Sequence, residues 1–371
     1  MKKQATLSIK RWFYGIDNGI LVGVLALMFL GFLTVFIAGP YTARRIGAEG
    51  YIFLKKFGVY SIIGLFSLFF FSKLDIKKIL ILSIIGLVVF WSGTVATFFI
   101  GSTIKGAKRW INVAGFGLQP SELMKPFFII IQAYLLQKIT ENWKNNFTLA
   151  KKLLVLHLGI LALTILPLIF QPDLGMAFTF LFVWGIMVFI AGLPWKYVAS
   201  LLAICSASLF LLYNSFGHFK SRIDRFWSPE NADTYQIDKA LEAVKNGGWL
   251  PNIGDGFIKE SLPDSHADFV FVVFVEEFGA LIGFGIIALF LFVFLTGMRA
   301  VKKSKNDFVI FSGSGLLGIF IFQAFFNIAS NLSIVPTKGM TLPFVSYGGS
   351  SFLSFAIIFG ILLAILQEEK A

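Results

Sequence analysis

The chain has 371 residues, of which 57% are hydrophobic and only 14% are charged, and its mean hydropathy is +0.81. A water-soluble domain cannot bury that much apolar surface, so the composition excludes a soluble protein and indicates that a lipid bilayer surrounds most of the chain. The net charge of +12 does not indicate a nucleic-acid partner, because the basic residues collect in short segments between apolar runs.

Ten apolar runs follow one another along the chain, and each is close to the ~20 residues that a helix needs to cross the hydrocarbon core. Lipid cannot satisfy the hydrogen bonds of an open backbone, so these runs must be helices. The sequence therefore predicts an all-α integral membrane protein with one membrane domain over residues 1–371. The predicted spans are 19–38, 57–72, 79–100, 121–137, 153–170, 174–192, 195–213, 268–296, 307–331 and 343–366.

The basic residues predict the orientation of these spans. If the N-terminus is inside, the inner segments carry 17 Lys and Arg residues, with Lys196 at the start of the seventh span included, and the short outer loops carry 8. Because basic residues favour the cytoplasmic side, both termini are predicted to be cytoplasmic. The one long polar loop, residues 214–267 between the seventh and eighth spans, is then extracytoplasmic, since long loops cross the membrane regardless of their charge.

The end of this polar loop carries the first candidate for chemistry. Asp268 lies where the loop meets the eighth span, two residues after His266. An ionisable residue at a membrane boundary indicates a functional site, and a single general base is the simplest proposal; the competing interpretation is that Asp268 caps the eighth helix. The spacing supports a serine triad or a histidine metal site only weakly. Arg222 and Arg225 either bind an anionic headgroup or are solvated.

The loop between the third and fourth spans contains further candidates. Arg109 can bind a phosphate through two donors and Trp110 suits the membrane interface, although an ordinary interfacial loop explains both. Ser121 is expected to cap the fourth helix, which places Glu122 in its first turn and Lys125 on the same face. The two opposite charges either neutralise each other or face a cavity.

Two other segments have the composition of turns. Residues 171–175, Gln-Pro-Asp-Leu-Gly, predict a tight turn in which Asp173 caps the following helix. Residues 335–351, which precede and open the tenth span, contain two prolines and three glycines. Irregular backbone at membrane depth is tolerated only where protein or water covers it, so this segment is predicted to line a cavity.

Five short motifs occur in one order along the chain: Gly106-Ala-Lys-Arg-Trp-Ile, Gln119-Pro-Ser-Glu-Leu-Met-Lys125, Gln171-Pro-Asp-Leu-Gly175, Leu262-Pro-Asp-Ser-His-Ala-Asp-Phe269 and Ser346-Tyr-Gly-Gly-Ser-Ser351. Together they resemble the SEDS family (shape, elongation, division and sporulation), over nearly the whole chain. The resemblance implies a ten-span peptidoglycan glycosyltransferase. Its substrate would be lipid II, an undecaprenyl-pyrophosphate disaccharide-pentapeptide, which it would polymerise into glycan strands.

The resemblance also implies roles for individual residues. Asp268 matches the family's essential acidic residue, and Glu122 and Lys125 match the charged residues of its fourth-span motif. Two positions depart from the family pattern, because Ala267 stands where Thr is usual and Asp264 where Glu is common. The lost hydroxyl at position 267 puts the orientation of Asp268 in question.

One stretch separates the branches of the family. Residues 332–343 contain a Pro-Thr-Lys-Gly pattern around Lys338 that is similar to the division branch rather than to the elongation branch. This likeness implies a protein of the bacterial cytoplasmic (inner) membrane, concentrated at the division septum. It also implies a class B penicillin-binding transpeptidase, FtsI-like, and other divisome proteins as partners.

These inferences combine in one predicted mechanism. Asp268 takes the proton from the acceptor hydroxyl, Lys125 pairs with Asp268 and keeps it ionised, and Glu122 completes the catalytic set. A single displacement with inversion is expected. Basic residues neutralise the leaving pyrophosphate, alone or with a divalent cation, and no other cofactor is implied. The predicted substrate-binding residues are Arg109, Trp110, Gln119, Ser121, Arg222, Arg225, His266, Lys338, Ser346 and Tyr347.

Alternatives to this function remain open at this point. A transporter that flips lipid II would also place charges in a membrane cavity, although near the midplane rather than at the outer end. A scaffold that only recruits its transpeptidase would tolerate charge substitutions in the cavity. An elongation polymerase would share the chemistry and differ in its location.

Overall fold

The computed structural model describes residues 15–104, 107–192, 214, 235–251, 262, 265–336 and 339–368. The predicted seventh span, 195–213, lies outside the described residues. So do three predicted substrate-binding residues, Arg222, Arg225 and Lys338, and the family position Asp264.

Ten helices are present in the described part of the chain. They are α1 (Asn18–Arg45), α2 (Ile52–Phe71), α3 (Ile76–Ile100), α4 (Pro120–Asn142), α5 (Phe147–Phe170), α6 (Leu174–Ile190), α7 (Tyr235–Asn246), α8 (Val270–Lys302), α9 (Asp307–Asn331) and α10 (Gly349–Glu368). Seven of them, α1, α2, α3, α5, α8, α9 and α10, are long and apolar enough to cross a membrane. The helices confirm the predicted all-α membrane fold, in which α6 is a shorter apolar helix and α7 belongs to the polar loop.

The centre of the bundle is formed by α4, α9 and α10, in which most residues are buried. The surrounding helices α2, α3 and α5 bury only a narrow face and expose Ile, Leu, Val and Phe side chains on the other faces. Exposed apolar faces of this kind are suited to contact with lipid. Because α4 and α9 are shielded from lipid, polar side chains within them can find partners inside the protein.

Helix α8 differs from the predicted eighth span, because it consists of two helices joined at Gly279, where φ is 80° and ψ is 164°. Residues 270–277 are buried on every side, whereas the residues after the break alternate between buried and exposed. The second part, 280–302, is about 35 Å long and can cross the bilayer alone. The N–H of Ala280, which the break leaves without a helical partner, donates to the carbonyl of Gly248 just after α7, at 2.9 Å.

The loop between α3 and α4 forms a three-stranded antiparallel sheet, which the sequence did not predict. Its strands, in sheet order, are β1 (Ser102–Ile104), β2 (Ala107–Val113) and β3 (Phe116–Leu118). Ala114 and Gly115 both have positive φ and make the tight turn between β2 and β3. The sheet is attached to α2, since Lys56 Nζ donates to the carbonyl of Gly115 at 2.8 Å and the Tyr60 hydroxyl donates to that of Gly117 at 3.1 Å.

Hydrogen bonds join loops that are far apart in the sequence and bring the polar segments together at one end of the bundle, here called the loop end. The N–H of Tyr347 donates to the carbonyl of His266 at 2.9 Å, and Arg109 Nε donates to the carbonyl of Gln171 at 3.5 Å. At the opposite end, the first N–H of α3 donates to the carboxylate of the last residue of α10 at 2.7 Å. The loop end therefore contains the sheet, the turn after α5 and the segments that precede α8 and α10.

Candidate active site

Asp268 stands at the loop end, directly before the N-cap residue of α8, so it lies outside the helix. Its carbonyl oxygen accepts hydrogen bonds from Nδ2 of Asn327 at 2.9 Å and from Nδ2 of Asn331 at 2.8 Å, both on α9. From the other side, Ser346 Oγ donates to the carbonyl of the preceding residue at 2.5 Å. The backbone at Asp268 is thus held from both sides, while the side chain is half-buried.

Three predicted substrate-binding residues hold the segment that carries Asp268. Ser346 Oγ accepts from the N–H of Leu342 at 2.8 Å in addition to its donation described above. The ring of His266 is buried and packs against Tyr347 and Phe53, with ring centroids 5.1 and 4.4 Å away. These contacts show how His266, Ser346 and Tyr347 support the segment, and their direct contact with substrate stays a prediction.

The irregular segment between α9 and α10 borders the Asp268 carboxylate. Gly339, the residue after Lys338, has φ of 71°, and a β-carbon placed on it would lie 3.1 Å from Oδ2 of Asp268. Both the backbone conformation and this close approach favour glycine. The structure therefore places the segment predicted to line a cavity beside the candidate general base.

Glu122 and Lys125 form an ion pair with each other, 2.5 Å between Oε2 and Nζ, and both side chains are buried in α4. The prediction that Lys125 pairs with Asp268 is wrong, because the ammonium bonds to Glu122 and to Gln323 Oε1, the latter at 2.8 Å. Residues three apart share a helix face, so a buried lysine finds its counter-ion one turn away. Glu122 does lie in the first turn of α4, as predicted.

Gln323 on α9 links the ion pair to the Asp268 region. Its Oε1 accepts from Lys125, and its Nε2 donates to the carbonyl of Thr341 at 3.1 Å. The carbonyl of the residue before Thr341 accepts from Asn327 Nδ2 at 2.5 Å. A hydrogen-bonded chain therefore runs from the buried ion pair, through Gln323 and the segment before α10, to the amide that also binds the carbonyl of Asp268.

Three residues of this network, Gln323, Asn327 and Asn331, were missed by the sequence reasoning. They recur every four residues, which places them on one face of α9. Amide side chains at that spacing inside an apolar run were the available signal, because unpaired amides in a membrane helix are costly.

Arg109 is attached to the turn after α5. Its guanidinium donates to the carbonyls of Gln171 and Pro172, and its Nε lies 3.6 Å from Oδ2 of Asp173. Asp173 caps α6 by accepting from a backbone N–H at 3.2 Å, as predicted, and Gln119 Nε2 donates to the same carboxylate at 3.4 Å. Arg109 and Gln119 therefore join the sheet to this turn, and their contact with substrate is untested.

The predicted cap at Ser121 is wrong. α4 begins at Pro120 with Gln119 as its N-cap, because proline lacks the N–H that the first helical position leaves unpaired. Ser121 is instead buried in the first turn. Trp110 packs across the sheet, where a β-carbon on Gly117 would lie 3.4 Å from its ring. Within the described part of the chain, no group of three or more His, Cys, Asp or Glu residues could hold a metal ion.

Comparison with known families identifies the family to which this chain belongs. The family model FTSW_RODA_SPOVE, described as a cell cycle protein, matches residues 18–371. The chain belongs to this family. A Caulobacter vibrioides protein named "Probable peptidoglycan glycosyltransferase FtsW" is 33% identical over 363 residues, which cover 96% of this chain and 91% of that one. A Geobacter sulfurreducens protein of the same name is 34% identical over 368 residues, 95% of this chain and 96% of that one.

Solved structures share the fold. A chain from a study of polymerization and crosslinking by a peptidoglycan synthase complex aligns with a TM-score of 0.76 at 23% identity, covering 95% of this chain and 98% of that one. The rod shape determining protein RodA of Thermus thermophilus aligns with a TM-score of 0.69 at 23% identity, covering 96% and 98%. The relatives named FtsW support the predicted likeness to the division branch.

Proposed function

We propose that this chain is a peptidoglycan glycosyltransferase of the FtsW type, which polymerises lipid II into glycan strands during septal wall synthesis. Family membership and the names of its full-length relatives support this activity. The observation that carries the mechanism is the half-buried Asp268 carboxylate, whose backbone is held at the loop end by α9 and by the segment before α10.

Asp268 acts as the general base. The proton of the acceptor 4-hydroxyl passes to its carboxylate while the hydroxyl oxygen forms a bond to C1 of the donor sugar. The bond between C1 and the pyrophosphate oxygen breaks, and undecaprenyl pyrophosphate leaves with the electron pair. One displacement converts an α-linked donor into a β-1,4 product. General-base assistance of this kind contributes about 10²–10⁴ in rate.

The buried pair Glu122–Lys125 acts at a distance from the reacting atoms. Its role is to position Gln323, which in turn holds the segment before α10 against Asp268. Arg109, with Arg222 or Arg225, neutralises charge on the leaving pyrophosphate. The guanidinium of Arg109 has five N–H donors, so its bonds to the turn after α5 leave others for this task. A divalent cation would supply further charge neutralisation.

An apolar cavity of about 520 Å³ lies between α6, α8 and α9 and extends to Leu332 and Ile334 near the loop end. Its lining is almost entirely aliphatic and aromatic, which suits a polyprenyl chain rather than a sugar or a phosphate. We assign part of the undecaprenyl chain of the substrate to this cavity, so that the pyrophosphate reaches the loop end from the lipid side.

The loop end faces outward in this proposal, and both termini are cytoplasmic. The distribution of 17 inner and 8 outer Lys and Arg residues supports the orientation. The enzyme works with a class B transpeptidase, FtsI-like, at the division septum. A fluorescent fusion that concentrates at the septum agrees with the division role, whereas a uniform distribution along the lateral wall would assign the chain to elongation and leave the chemistry unchanged.

Polymerisation of purified lipid II tests the activity directly. The purified protein, alone and with its transpeptidase partner, should convert lipid II into glycan strands that gel electrophoresis resolves. A flippase or a scaffold would yield no polymer under either condition. The position of Asp268 and Glu122 at the loop end, rather than at the middle of the helices, favours the polymerase over the flippase.

A further inference from the structure

Two amide side chains on α9, Asn327 and Asn331, are buried almost completely, at 0% and 1% exposure, although they lie in an apolar helix. A buried amide without hydrogen-bond partners is costly in an apolar environment. The hydrogen-bond partners of these two amides therefore indicate their role.

Both amides donate to the backbone of Asp268. Asn331 Nδ2 uses one hydrogen for the carbonyl of Asp268 at 2.8 Å and the other for the carbonyl of Asn327, one turn earlier, at 2.9 Å. Asn327 Nδ2 uses one hydrogen for the carbonyl of Asp268 at 2.9 Å and the other for the carbonyl of Met340 at 2.5 Å. A single carbonyl oxygen thus receives two donors from one helix.

The bridge made by Asn327 connects two segments that Ser346 and Tyr347 also join, through bonds to the carbonyls just before Asp268. One segment carries Asp268 and the other carries Gly339, whose α-carbon faces the Asp268 carboxylate closely enough that a β-carbon would lie 3.1 Å from Oδ2. Asn327 therefore contributes a direct link between the backbone of Asp268 and the residue after Gly339, through its two amide hydrogen atoms.

We infer that Asn327 and Asn331 are positioning residues for Asp268, which fix its backbone so that the carboxylate stays within reach of the acceptor hydroxyl. This inference rests on the proposed role of Asp268 as general base. The amides do not touch the substrate. Their effect is geometric, and a displacement of 1 Å at a reacting group costs about 10² in rate.

The substitution Asn331→Leu is the sharpest test, because it removes both donors while approximately keeping the volume of the side chain. Asn331 Oδ1 has no hydrogen-bond partner in the described part of the protein, so leucine also removes an unsatisfied acceptor. The carbonyl of Asp268 keeps its bond from Asn327. We therefore expect the variant to fold.

The matched control is Gln132→Leu. Gln132 is also a fully buried amide, on the central helix α4, and it donates to the carbonyl of His157 rather than to the Asp268 region. In lipid II polymerisation by purified full-length protein, Asn331→Leu should lower kcat at least about tenfold and leave KM within about threefold. Gln132→Leu should keep both constants within about threefold. Equal kcat values for the two variants would overturn the inference.

A second comparison separates positioning from general stability. In an Asp268→Asn background the base is already lost, so Asn331→Leu should reduce the residual rate less than about twofold. The same tenfold loss in both backgrounds would mean that the amide acts independently of the Asp268 carboxylate, and it would overturn the inference. Full activity of Asp268→Asn alone would instead remove the proposed base, and the inference with it. If Asn331→Leu shows no cooperative melting, Asn331→Gln is used in its place in the same comparison. Glutamine keeps the amide group but moves it by one methylene.

Discussion

Helix α4 contains two ion pairs that differ strongly in burial, one near its start and the other, with the reverse order of charges, near its end. Lys125 and Glu122 lie 2.5 Å apart with side chains 0% and 9% exposed, whereas Lys138 and Glu141 lie 2.6 Å apart with side chains 37% and 41% exposed. Both pairs span three residues of the same helix. Replacing each lysine by methionine removes the charge and keeps an unbranched side chain, so Lys125→Met and Lys138→Met compare the loss of a buried cation with the loss of an exposed one.

The expected costs follow from the surroundings of the carboxylate that is left behind. Lys125→Met leaves Glu122 buried without its cation and should destabilise the protein by about 3–5 kcal/mol. Lys138→Met breaks an exposed pair and should cost about 0–1 kcal/mol. The double variant Glu122→Gln with Lys125→Met removes both buried charges and should recover most of the loss, because neutral replacement of a buried pair is often close to neutral.

Thermal unfolding of the purified variants in one detergent, at one scan rate, measures these differences as shifts of the melting temperature. Lys125→Met should melt far below Lys138→Met, and the double variant should lie between Lys125→Met and the wild type. Equal shifts for the two lysine variants would refute the assignment of a buried, stabilising pair. A double variant that melts below Lys125→Met would refute the coupling between Glu122 and Lys125.

Two further perturbations test the geometry and the orientation. Gly339→Ala should lower polymerisation at least about tenfold, because the new methyl group displaces the Asp268 carboxylate. The control is Gly115→Ala, at a glycine that also has positive φ but has open space around it, and its activity should stay within about threefold of the wild type. Comparable activities of the two variants would contradict the close approach. A cysteine introduced as Asn246→Cys should react in intact cells with a thiol reagent that cannot cross membranes, and labelling only after the cytoplasmic side is exposed would reverse the proposed topology.

The apolar runs predicted the membrane helices well. Each segment that crosses the bilayer must form its backbone hydrogen bonds internally, so it is a helix whose length and hydropathy are visible in the sequence. The boundaries held best where a single helix crosses the bilayer, as in α3 and α9. The eighth span was harder, since Gly279 is one glycine in an apolar run and nothing local shows that its φ is positive. The break depends on carbonyl groups from the chain after α7, which lie far away in sequence.

The candidate site was likewise predicted only in part from the sequence. Asp268, Glu122 and Lys125 could be named from their types and positions, because charges are rare in membrane segments. Their partners could not be assigned, since the nearest counter-ion of Lys125 is set by the helix geometry of α4 and by its burial. The three-stranded sheet was missed because β1 and β3 have only three residues each, too few to show a strand period.

The central claim is that the carboxylate of Asp268 takes the proton from the acceptor hydroxyl. The most direct test is the rate of lipid II polymerisation by purified Asp268→Asn, which keeps the size of the side chain and removes its charge and basicity. A fall of about 10² or more, in a protein that melts like the wild type and still binds its transpeptidase partner, is the predicted result. Near-normal glycan synthesis by a well-folded Asp268→Asn protein would remove Asp268 from the chemistry and contradict the mechanism.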